Sequence, residues 1–114
     1  MKIKNVTANC LLVPKAQVAD SFFSRLKGLL GSARLDEEMA LVICPCSSVH
    51  TFGMRYVIDV VFVDVNHQVV KVVANLAPGK MAWCRKSHYV VELAAGSVAA
   101  TGLRMGDKLE FAYN

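Results

Sequence analysis

The sequence predicts a mainly β fold (α+β), a compact single-domain barrel or sandwich of short strands with one or two short helices. Short runs rich in Val, Ile and Leu recur along the chain, separated by Asn, Asp, Pro and Gly. Helical periodicity is confined to a single clear segment. Apolar residues make up 54% of the 114 residues and charged residues 19%, which points to strands buried on both faces. An exposed apolar groove or a self-association surface is the alternative source of that excess. Residues 1–114 read as one domain, large enough to hold a core without cross-links.

Residues 3–13 read as a first strand, interrupted in pattern by Asn5 and Asn9 and closed by Pro14. Residues 19–30 carry the helical signal: Phe22, Phe23, Leu26, Leu29 and Leu30 share one face, and Asp20 or Ser21 can cap the start. Gly28 or Gly31 can end it. An acidic bend at Asp36-Glu37-Glu38 precedes a short buried strand over 40–44. A polar, turn-like segment over 47–55 then feeds the central strand over 57–65. Asn66-His67 suits a hairpin turn because Asn tolerates positive φ, and residues 68–73 return as the partner. Residues 75–79 read as a loop, 81–86 and 88–93 as strands, 95–102 as one or two helical turns, and 108–113 as the closing strand.

Thirteen basic and nine acidic residues give a net charge of +4. The basic residues form no run longer than two, whereas a nucleic-acid surface needs a focused basic face, so nucleic acid is not the expected partner. The longest charge-free stretch, residues 39–54, contains Pro45, serines and His50 and fails the requirement for about 20 apolar residues in a membrane span. The apolar patch after MKIKN, residues 10–13, is too short for a secretory signal, which makes the cytoplasm the expected location. Cys44-Pro45-Cys46 is neither a redox C-x-x-C nor a zinc-knuckle spacing. A zinc site from Cys44, Cys46, Cys84 and His50 or His88 has the ligand count but lacks a second close pair. The expectation for the four cysteines is therefore no metal and buried structural thiols.

Chemistry concentrates between Ser47 and Asp59. Asp59 stands inside an apolar strand, where an unpartnered carboxylate costs several kcal/mol. It either accepts hydrogen bonds from a nearby loop or from Arg25, or it orients His50 or grips a ligand cation. His50 with Asp59 and Ser47, Ser48 or Cys46 has the outline of a nucleophile–base–orienter set, against the simpler reading of a structural histidine. Arg55, just before the strand, could meet a ligand carboxylate or phosphate. His67 and His88 read as solvated. Phe52, Met54, Tyr56 and Trp83 read as core, and Glu92 repeats the puzzle of Asp59. Walker, Rossmann, H-E-x-x-H and EF-hand patterns are absent, so no cofactor is named.

Four segments carry a resemblance. They are Phe23 with Arg25-Leu-x-Gly-Leu-Leu-Gly (to Gly31), Ser48-Val-His-Thr-Phe-x-Met-Arg-Tyr-x-Ile-Asp-Val-Val-Phe-Val-Asp (to Asp64), Val91-Glu-Leu-x-Ala-Gly (to Gly96) and Gly102-Leu-x-x-Gly-Asp (to Asp107). In this order the chain resembles the family named domain of unknown function 192, with Val57 and Gly53 departing from its pattern. The resemblance implies one mainly β domain and a cleft lined by Arg25, His50, Met54, Arg55 and Asp59. It implies no settled activity, cofactor or partner.

The expected function is that of a binding module for a small molecule or peptide, with a polar cleft at Arg25, Ser48, His50, Thr51, Met54, Arg55 and Asp59. Two alternatives stay open: a small hydrolase or transferase using His50 and Asp59, and a structural or protein-interaction domain.

Overall fold

A computed structural model describes residues 1–19 and 35–113. The predicted helix over 19–30 and its Arg25 lie outside them, except for Ala19. The described residues form ten strands and one short helix: β1 (Lys2–Asn5), β2 (Cys10–Val13), β3 (Lys15–Ala19), β4 (Met39–Ile43), β5 (Ser48–His50), β6 (Ile58–Val63), β7 (Val69–Leu76), β8 (Met81–Trp83), β9 (Tyr89–Ala94), α1 (Ser97–Thr101) and β10 (Leu109–Ala112).

The five-stranded sheet runs in the order β3-β4-β9-β6-β7, parallel between β3 and β4 and antiparallel elsewhere. A three-stranded sheet, β10-β1-β2, and a two-stranded ribbon, β5-β8, complete the set. Among the described residues the large sheet ends at β3 and β7, so the arrangement is sandwich-like and not a closed barrel. Its two core strands explain the apolar composition, because every residue of β6 and β9 is buried. Alternation along them serves two separate cores. Val61, Val63, Val91 and Leu93 face Ile3, Val13 and Leu109 of the three-stranded sheet. Ile58, Val60, Phe62 and Val90 face Val49, Met54 and Ala82, around the ribbon.

Several expected elements are corrected. The single strand over 3–13 is two strands paired as a hairpin, because Asn9 takes a φ of 54° and Asn5 Oδ1 accepts a bond from Ala8 N at 3.1 Å. Pro14 ends β2 but does not end extended structure, since β3 begins at the next residue and pairs in parallel with β4. Part of the turn-like segment, Ser48–His50, is a strand held by β8. The expected loop over 75–79 starts later, because β7 runs to Leu76 through Asn75 at φ 56°. In the 64–68 hairpin the positive φ falls on His67, not Asn66. Asp64 O accepts from His67 N at 3.1 Å, and Asp64 Oδ1 accepts from Asn66 N and Gln68 N, both at 2.9 Å. That is a tight turn followed by one left-handed residue, which joins strands without two consecutive positive φ values.

Candidate functional site

The sequence-predicted residues separate into scaffold and surface. Asp59 is fully buried. Its Oδ1 accepts from Asn75 N at 2.8 Å and its Oδ2 from Val98 N at 2.9 Å. Val98 lies in the first turn of α1, where backbone N–H groups lack intrahelical acceptors, so Asp59 serves as a cap reaching in from another element. The other bond satisfies β7 where its register with β6 shifts between Ile58 and Val60. Asp59 pairs with Leu93, on the face of the first core, whereas His50 belongs to the ribbon on the opposite face. The two do not meet as a base and its orienter.

Thr51 is fully buried. Its Oγ1 donates to Ala77 O at 2.6 Å and accepts from Lys80 N at 2.9 Å, tying the end of β5 to the approach to β8. Met54 is a core residue of the second cluster. Ser48, His50 and Arg55 remain for contact: Ser48 and Arg55 are exposed and His50 half-buried. The His50 imidazole stacks on Phe52, with ring centroids 5.0 Å apart and planes at 23°. Opposite Ser48 and His50 in the ribbon stand Trp83 and Met81. Phe52, Met81 and Trp83 are 51%, 56% and 64% exposed, which corrects the expectation that Phe52 and Trp83 are core residues. Glu92 is fully buried and pairs with Val60 and Leu41, on the ribbon side of the sheet.

A second group draws two residues, Cys44 and His88, out of the zinc set that the sequence spacing disfavours. Cys44 follows β4 and His88 precedes β9, and because those strands are antiparallel neighbours with Ile43 opposite Val90, the two residues meet. Their Sγ and Nε2 atoms are 3.6 Å apart. That antiparallel pairing was the signal available. Next to them His67 Nδ1 and the Tyr89 hydroxyl are 2.9 Å apart. Cys10 and Cys44 are exposed and Cys46 and Cys84 half-buried, which corrects the expectation of buried thiols: each lies at a strand end or in a connection, not on a sheet interior.

Burial pushes the Tyr89 phenol well above its ordinary value, and the negative charges of Asp64 and Cys44 push the same way. A raised folded pKa contributes stability that is complete below the unfolded phenol's pKa of about 10 and is lost as pH rises beyond it. The unfolding free energy is therefore expected to fall more steeply above about pH 10 in the wild type than in Tyr89→Phe, measured by denaturant titration at several pH values. Equal slopes would mean that the phenol ionises as freely in the fold as in the unfolded chain.

Residues 3–111 match the family DUF192, described as an uncharacterized ACR. The chain belongs to the DUF192 family. A UPF0127 protein of Pyrococcus furiosus is 31% identical over 113 residues, covering 94% of this chain and 95% of the relative. A UPF0127 protein of Thermococcus sibiricus is 24% identical, covering 94% of this chain and 72% of the relative. Two solved structures share the DUF192 chain's fold, each at a TM-score of 0.81 and over 96% of this chain. One is a protein of unknown function from Novosphingobium aromaticivorans, 20% identical, with 82% of it covered. The other, from Sinorhizobium meliloti, is described as "a putative transcription regulator", at 18% identity with 89% covered. Among the described residues of the DUF192 chain, no helix is long and apolar enough to cross a membrane.

Proposed function

We propose that this DUF192 chain is a non-catalytic binding module whose β5-β8 ribbon receives an acidic peptide segment bearing apolar side chains. One observation carries the reading. The ribbon turns Phe52, Met81 and Trp83 to solvent, while Arg55, Lys80, Arg85 and Lys86 sit exposed in its connections. Residues 44–58 and 77–88 contain no Asp or Glu, so nothing in them neutralises those cations. Exposed aromatic and thioether groups supply contact area, and the basic residues select an anionic partner. Ser48, His50 and Arg55 contribute to this surface; Thr51, Met54 and Asp59 hold its shape.

A peptide suits the ribbon better than stacked bases. The Lys71 ammonium lies 5.7 Å from the centre of the Trp83 ring, and one Phe52 face is already stacked on His50, so both rings have a face in use. Asp59 spends its oxygens on backbone amides, which weighs against a hydrolase or transferase built on His50 and Asp59. The four cysteines are present as thiols, which supports the cytoplasm as the location.

The test is a titration with the peptide Glu-Glu-Leu-Phe-Glu-Glu, followed by the emission of Trp83, the chain's one tryptophan, and by backbone amide shifts. The expected result is saturable binding that perturbs Phe52, Met81 and Trp83, weakens with salt, and falls about tenfold or more in Trp83→Ala. Equal binding of the same peptide with Lys in place of Glu would overturn the charge selection. Tighter binding of a short single-stranded DNA would overturn the peptide reading.

A further inference from the structure

Beside the three-stranded sheet, away from the ribbon, lies a pocket of about 370 Å³. Val18, Val42, Val65, Phe111 and Tyr113 supply apolar wall, and Cys44, His67, His88 and Tyr89 supply the polar groups. Its size falls within the range of small-molecule sites, roughly 300–1,000 Å³. The binding surface proposed above uses none of these residues.

We propose that Cys44 and His88 form a thiol–disulfide exchange site, and that the pocket beside them holds a small disulfide with an apolar or aromatic substituent. The case rests on geometry. The Cys44 thiol is exposed, and the His88 Nε2 at 3.6 Å is placed to take its proton. Only the thiolate is a competent nucleophile. His88 is held by its backbone: its N–H donates to Val63 O at 2.7 Å, and its carbonyl accepts from Cys46 N at 2.9 Å. These bonds fix the His88 main chain beside the end of β4. Among the described residues no group of three His, Cys, Asp or Glu side chains gathers.

The step balances without a further reactant. The Cys44 proton passes to His88, and the thiolate attacks one sulfur of the disulfide R–S–S–R. The Cys44 Sγ–S bond forms as the R–S–S–R bond breaks. The departing R–S⁻ takes the proton from the His88 imidazolium and leaves as R–SH. The disulfide is the oxidant, and the product is a mixed disulfide on Cys44.

The probe is dithiodipyridine, an aromatic disulfide, with labelling read by mass spectrometry of each cysteine peptide. Cys10, exposed on β2, is the internal reference. The rate at Cys44 is expected to saturate with probe concentration and to exceed that at Cys10 by about tenfold or more. His88→Gln, an exposed substitution, is expected to slow Cys44 by about tenfold and leave Cys10 unchanged. Val65→Arg, also at an exposed position, is expected to abolish the saturation by filling the pocket mouth. A Cys44 rate equal to that of Cys10, a rate indifferent to His88→Gln, or strictly linear concentration dependence would each overturn the proposal.

Discussion

Replacing Asp59 with alanine is expected to lower the unfolding free energy by about 2–6 kcal/mol, because two buried backbone donors at roughly 1–3 kcal/mol each lose their acceptor. The donors are Asn75 N and Val98 N, on elements far apart in the chain. Asn75 belongs to β7 and Val98 to α1. Water cannot easily replace the carboxylate at a site with no solvent exposure. Asp59→Asn keeps one acceptor oxygen and turns an amide NH₂ toward the other donor, so it should retain at most half of the effect. Urea unfolding with linear extrapolation measures both variants. A loss below about 1 kcal/mol in Asp59→Ala would mean that Asn75 and Val98 find other acceptors. In Asp59→Asn the His50 ring resonances are expected to keep their positions, since the sheet separates the two residues; a large displacement would revive the coupled pair.

The sequence was most informative where structure is decided by local pattern. The apolar run ending at Val63, the return strand after it and the strand from Tyr89 are legible because both faces of β6 and β9 are buried, leaving apolar stretches that Asp59 and Glu92 alone interrupt. The short helix stopping at Gly102, at a φ of 71°, is legible for an equally local reason, the left-handed C-cap. Membership in the family was legible too, from the run between Ser48 and Asp64.

What escaped the sequence depends on partners distant along the chain. Lys15-Ala16-Gln17-Val18-Ala19 has no strong alternation and becomes a strand only beside β4. Ser48-Val49-His50 is polar at both ends and is extended because β8 lies beside it. The candidate site divides in the same way. Asp59 could be recognised as anomalous from its neighbours, but its two amide partners lie 16 and 39 residues away, and no local rule connects them. Cys44 and His88, 44 residues apart, required the β4-β9 pairing to be known. Trp83 looked like a core residue because its exposure is set by which side of a three-residue strand faces the sheet.

Phe62→Ala is expected to cost about 3–5 kcal/mol, the usual range for emptying a fully buried aromatic position. Phe62 lies in the second core, between the large sheet and the ribbon. Its neighbour across the pair with β7 is Lys71, whose ammonium stands 5.9 Å from the Phe62 ring centre and 5.7 Å from that of Trp83. The same ammonium donates to Trp83 O at 2.8 Å. One lysine thus links the buried ring to the exposed one, and removing the ring frees Lys71 to move off the indole. The folded variant is therefore expected to show altered Trp83 emission as well as lower stability, and weaker binding of the acidic peptide. Phe62→Leu, which fills most of the volume, should lose less stability but also the cation–ring contact. If Phe62→Ala lost stability while Trp83 emission stayed unchanged, the ribbon would be held by its backbone and Thr51 bonds alone. The binding surface would then be a unit independent of the core beneath it.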